Sequence, residues 1–99
     1  MNRTEHLLII LAEECSEVIY NVSKSLRFGL NDTPPKHNNT NKTKLEQEIT
    51  DLLGVLKMLV DERIIEDISR TGMEDKIRKV EEWFKYSKEK GALNATNQT

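Results

Sequence analysis

The chain has one cysteine, two prolines, four glycines and only 5% aromatic residues among its 99 positions. Each shortage excludes something. A lone thiol, Cys15, leaves no internal disulfide framework and no thiolate zinc site. Few turn-forming residues, with Val, Ile and Thr rarely alternating with polar neighbours, argue against an all-β sandwich or barrel. Neither sign of charge dominates, because 15 Lys and Arg face 17 Asp and Glu. Bulk electrostatics therefore give no reason to expect nucleic acid or a membrane surface as a partner. No apolar run approaches the ~18 residues of a membrane span. The Leu7–Ala12 run is too short, and its flanks too acidic, for a secretion signal. A cytoplasmic protein is expected. Seven Asn stand in glycosylation-type triplets, which an Asn- and Thr-rich chain makes by chance.

What abounds is Leu, Ile, Glu and Lys, the composition of long helices. The length supports one small core and one domain, placed at residues 1–93. A first helix is expected from Thr4 to Leu26, with Leu7, Ile10, Leu11, Val18 and Val22 at helical spacing and Gly29 as its stop. Residues 29–43 carry Gly29, Asp32, Pro34, Pro35 and a cluster of Asn, and read as a loop. A loop of that length is usually functional or disordered. A second helix should run from Lys44 to about Ile65. A third should begin at Thr71, where Thr71-Gly72-Met73-Glu74 fits a capping box, and end at Gly91. Its apolar stripe is Met73, Ile77, Val80 and Phe84. Residues 94–99 read as a disordered polar tail.

The second helix is apolar over too wide an arc for one neighbour. Leu52 and Leu59 point one way, whereas Leu53, Val60 and Ile64 point well round the other side. The expected fold is all-α: an antiparallel helical bundle completed by homo-oligomerisation, with the second helix at its centre.

Some carboxylates stand where apolar residues should. With Glu14 at zero on the first helical wheel, Leu7 falls at about 20°, Ile10 at about −40° and Val18 at about 40°. Glu14 is inside the apolar arc, Glu17 at its edge and Glu13 further out. With Asp51 at zero on the second wheel, Glu48 lies at about 60°, Val55 at about 40° and Leu59 at about 80°. Either carboxylate pair alone reads as a solvated helix face. Two pairs in apolar arcs are different, because an ionised carboxylate facing a core costs several kcal/mol unless it is paired or metal-bound. Facing i, i+3 carboxylate pairs are a known way for helix bundles to hold metals. His6 and His37 stand away from these positions, and an all-oxygen donor set suits Mg²⁺, or Mn²⁺ in its place, rather than zinc.

Glu13-Glu14-Cys15-Ser16-Glu17 followed by Glu48-Ile49-Thr50-Asp51 resembles the EExxE…ExxD signature of the MazG-like, all-α nucleoside triphosphate pyrophosphohydrolases. Lys24-Ser25-Leu26-Arg27-Phe28-Gly29 looks like the helix-end segment of small stand-alone members, including phage-encoded ones. The resemblance spans about Leu7 to Leu93. The 30-residue gap between Glu17 and Glu48 is longer than in compact members. The resemblance implies Mg²⁺-dependent cleavage of a (d)NTP to the monophosphate and pyrophosphate by metal-activated water, in a homodimer or homotetramer. It implies Glu14, Glu17, Glu48 and Asp51 as metal ligands, with Glu13 and Glu14 supporting catalysis. For a phage-encoded chain the compartment is the host cytoplasm.

A triphosphate beside acidic groups needs cations from the chain as well. Lys24 and Arg27 at the end of the first helix, and Lys42 or Lys44 at the start of the second, are the candidates; Lys44 shares the face of Asp51, at about 20°. Lys76 and Lys79 are weaker candidates. Phe28, Asn41 and Trp83 are candidates for contact with a base, and Cys15 is expected in the core. Rival expectations are a non-catalytic helical oligomerisation or interaction module, and sister activities such as phosphoribosyl-ATP pyrophosphohydrolysis or dUTP hydrolysis.

Overall fold

The computed structural model describes residues 1–94 and contains three helices: α1 (Arg3–Phe28), α2 (Asn41–Asp61) and α3 (Arg70–Glu89). No strand occurs among the described residues, and the chain is all-α. Of the tail expected at 94–99, everything after Asn94 lies outside the described residues. Among the described residues no helix is long and apolar enough to cross a membrane.

Local chemistry sets the ends of each helix. Asn2 caps α1, its side chain accepting from the Glu5 N–H at 2.8 Å. The expected stop at Gly29 is where α1 ends: with φ at 102° this residue sits where a Cβ is disfavoured, and its N–H donates to the Ser25 carbonyl. Thr40 caps α2 by accepting from the Thr43 N–H, so the helix starts at Asn41 rather than at Lys44. Asn41 and Thr43 are weak helix formers, which hides that first turn in the sequence. At its other end α2 stops at Asp61, short of the expected Ile65. The Ile64 N–H reaches back to the Leu59 carbonyl and the Arg63 N–H to that of Val60, a Schellman closure with Arg63 left-handed at φ 59°.

The cap of α3 corrects the expected capping box. Ser69, not Thr71, accepts from the Gly72 N–H at 2.9 Å. Gly72 therefore holds the third helical position, and Glu74 comes two residues too late to reach back; it lies 3.5 Å from Arg70 instead. Gly91, at φ 76°, follows α3, with the Ala92 N–H on the Ser87 carbonyl.

The chain divides into two compact units, Met1–Glu66 and Asp67–Thr99. In the first, α1 and α2 run antiparallel. Arg3 donates two hydrogen bonds to Glu62, at 2.9 and 3.0 Å, at one end of the pair. At the other end the Asn41 side chain donates to the Gly29 carbonyl at 2.9 Å. The buried apolar side chains are Leu7 and Leu59, with Leu11, Val18, Leu52, Val55 and Leu56 half-buried along the seam. Cys15, expected in the core, is exposed. It lies about 100° round α1 from Glu14, outside the face that α2 covers. The other flank of α2 stays open, with Leu53 58% exposed. In the second unit α3 buries no residue, and Ile77 on its apolar stripe is 62% exposed.

Candidate metal centre and adjoining cavity

The antiparallel pairing of α1 and α2 brings distant carboxylates together. Glu14, Glu48 and Asp51 each offer an oxygen, and these oxygens all lie within 4.8 Å of one another. Glu14 is half-buried, Glu48 is 6% exposed and Asp51 is exposed, so the group lies at the edge of the helix seam. Glu17 is outside this trio, one turn further along α1, and lines an adjoining cavity. Glu13 is exposed.

The charges respond as crowded like charges must. Desolvation raises the pKa of Glu14 first, and Asp51, Glu48, Glu17 and Glu13 push it further in the same direction. Among the described residues the cation paired to the trio is Lys44, whose Nζ stands 2.9 Å from Glu48 Oε1. The hydrogen bond and the charge of Glu48 hold the Lys44 pKa above its ordinary value against desolvation, and Glu17 and Asp51 add to the effect. The converging donors are carboxylate oxygens alone, without His or Cys, a set that fits a hard divalent cation such as Mg²⁺ or Mn²⁺.

A cavity of about 440 Å³ adjoins the trio on the side toward the connecting loop. Glu17, Tyr20, Asn21 and Lys24 of α1 form one wall, and Asn41, Lys44 and Gln47 of α2 another. Pro34, His37, Asn38, Asn39 and Thr40 close it from the loop. The long connection expected at 29–43 thus has a place beside the carboxylates. Its two ends are tied: the Asn41 N–H donates to the Asp32 carbonyl and the Lys42 N–H to that of Leu30.

Of the expected cations, Lys24 and Lys44 line this cavity, whereas Arg27 and Lys42 are not among its walls. The Arg27 guanidinium lies 4.8 Å over the ring of its neighbour Phe28, and Phe28 is exposed. Lys24 sits 5.0 Å over the Tyr20 ring. Asn41 is a wall residue whose Nδ2 is engaged with Gly29. Lys76, Lys79 and Trp83 lie on α3 in the second unit, where Trp83 meets Tyr86 edge-on at 5.6 Å.

Tyr20, Asn21, His37 and Gln47 also line the cavity, although no sequence motif singles them out. Asn21 carried a signal. It falls at about −20° on the α1 wheel, in the middle of the apolar arc, and it is buried, with Nδ2 donating to the Glu17 carbonyl at 2.8 Å. Nothing in the residue pattern announces His37, whose place depends on the loop. Compared with protein-family models, with curated proteins and with solved structures, the chain matches none.

Proposed function

We propose that this protein is a divalent-metal-dependent nucleotide pyrophosphohydrolase of the MazG-like kind, converting a (d)NTP and water into the monophosphate and pyrophosphate. The observation that carries the reading is the convergence of Glu14, Glu48 and Asp51 within 4.8 Å, with Glu48 buried and its partner Lys44 in the wall of the adjoining cavity. A carboxylate trio in that position is costly until a cation joins it. Glu14, Glu48 and Asp51 would hold Mg²⁺ or Mn²⁺, with Glu17 next to them on the cavity side. The ion supplies neutralisation of the substrate's charge and acidification of water.

The chain's own residues supply the rest. Lys44 and Lys24 stand in the cavity walls where they meet phosphate oxygens, and the cavity takes the remainder of the nucleotide. Glu14, half-buried at the edge of the group, would accept the proton of the attacking water. Water adds to the α-phosphorus, the bond to the bridging oxygen breaks, and pyrophosphate leaves. Glu13 adds negative potential behind Glu14.

The open flank of α2 and the uncovered stripe of α3 support a homo-oligomer that completes the bundle. They also suit a non-catalytic interaction module, and a divalent ion separates the two readings. Saturating Mg²⁺ with nucleotide stabilises a metal enzyme by about 2.7 kcal/mol at a hundred times the Kd and leaves a bare module unchanged. Activity is tested by pyrophosphate release from a panel of NTPs, dNTPs and ppGpp-like nucleotides. The panel also separates the sister activities, phosphoribosyl-ATP and dUTP hydrolysis. Asp51→Asn and Glu14→Gln should each lower turnover by about a hundredfold or more; unchanged turnover in both removes the assigned roles.

A further inference from the structure

The cavity beside the carboxylates contains two buried carboxamides whose orientation is fixed. Asn21 and Asn41 are each 3% exposed and both line the cavity. The Asn21 side chain donates through Nδ2 to the Glu17 carbonyl at 2.8 Å, and that of Asn41 through Nδ2 to the Gly29 carbonyl at 2.9 Å. A main-chain carbonyl only accepts, so the amide nitrogen must face it and the oxygen must face away. Among the described residues no donor reaches either Oδ1, and both side chains line a cavity of about 440 Å³. Neither oxygen is sealed from solvent, so each is open to a donor from a ligand in the cavity. Lys24 and Lys44 border the same space, which places anionic and donor-bearing groups of one ligand side by side.

We propose that Asn21 and Asn41 are specificity residues that read neutral N–H or O–H donors on the nucleoside part of a nucleotide, through their side-chain oxygens. This rests on the nucleotide reading above and adds which part of the ligand the cavity recognises. Asn21 stands seven residues beyond Glu14 on α1, about 10 Å along the helix axis, so the contact lies away from the metal-binding end. On an adenine nucleotide the ribose 2′-hydroxyl and the exocyclic amine are such donors, and each can be removed singly. The acceptors are the same for either.

The experiment changes the ligand first, so that no variant has to fold. Equilibrium binding with Mg²⁺ is measured for non-cleavable α,β-methylene analogues of ATP, dATP and N6,N6-dimethyl-ATP. Loss of the donors the asparagines read should weaken binding about tenfold, a difference of about 1.4 kcal/mol. A fall with dATP assigns the ribose, and a fall with the dimethylated base assigns the amine. Asn21→Leu and Asn41→Leu should each narrow the difference among the analogues, and the double substitution should remove it, the folded state being checked by circular dichroism. Binding of all three within twofold by the unaltered protein overturns this inference and leaves the nucleotide reading standing. No binding of any nucleotide, with or without Mg²⁺, overturns both.

Discussion

At the residue scale, Glu14 carries most of the tension of the site. Its pKa is higher in the folded chain than the ordinary 4.5, from desolvation and from Asp51, Glu48, Glu17 and Glu13. The folded state then holds this proton to higher pH than the unfolded chain does. Stability from this group is greatest below about pH 4.5 and falls as pH rises through the raised folded value. Glu14→Gln should therefore be more stable than the native chain at neutral pH without divalent metal, and nearly equal to it in acid. Thermal melts of both proteins across pH test this, and Mg²⁺ should narrow the neutral gap. Lys44 acts in the opposite sense. Its partner Glu48 is buried, so Lys44→Met should lower metal-free stability by about 1–2 kcal/mol, the exposure of the Lys side chain reducing what a fully buried pair would lose. Mg²⁺ should recover most of that loss in a urea titration.

At the element scale, the helices were legible wherever apolar spacing and glycine agreed. Gly29 and Gly91 marked the ends of α1 and α3 because each sits at positive φ. The end of α2 was not legible, because the left-handed position belongs to Arg63 and the apolar pattern runs on through Ile64 and Ile65. That position makes its own prediction. A Cβ in the left-handed region costs about 1–2 kcal/mol, part of which glycine returns as unfolded-chain entropy. Arg63→Gly should gain about 0.5–1 kcal/mol in urea unfolding. The cap of α3 was misplaced for a related reason. Ser69 and Thr71 both satisfy the cap chemistry, and only the backbone decides that Ser69 receives the Gly72 N–H. The carboxylate trio, by contrast, was visible as soon as the wheels placed Glu14 and Asp51 among apolar residues. Glu17 at the arc's edge stands outside the trio, one turn along.

At the scale of the whole molecule, the two buried apolar side chains among the described residues, Leu7 and Leu59, make a thin core. Leu53, Ile77 and their neighbours would be covered in the proposed assembly. Sedimentation equilibrium at micromolar concentration should give a multiple of the 11.5 kDa chain mass. Leu53→Glu and Ile77→Glu should each shift it toward the single chain and lower the melting temperature. A stably folded single chain would remove the oligomer. The wide apolar arc of α2 was readable from sequence, but the cavity was not. Its loop wall depends on hydrogen bonds that close a chain segment on itself, and no periodicity encodes those.

The way that segment is fastened has an evolutionary consequence. Asn41 grips Gly29 with its side chain and Asp32 with its main chain, and Lys42 holds Leu30. These clasps lie at the base of the segment, so the stretch between Asp32 and Thr40 can change length or composition without disturbing either helix. The acidic trio is anchored on rods and the cavity's outer wall on a replaceable strap. Descendants of this chain can therefore retune what they admit while the chemistry stays where it is.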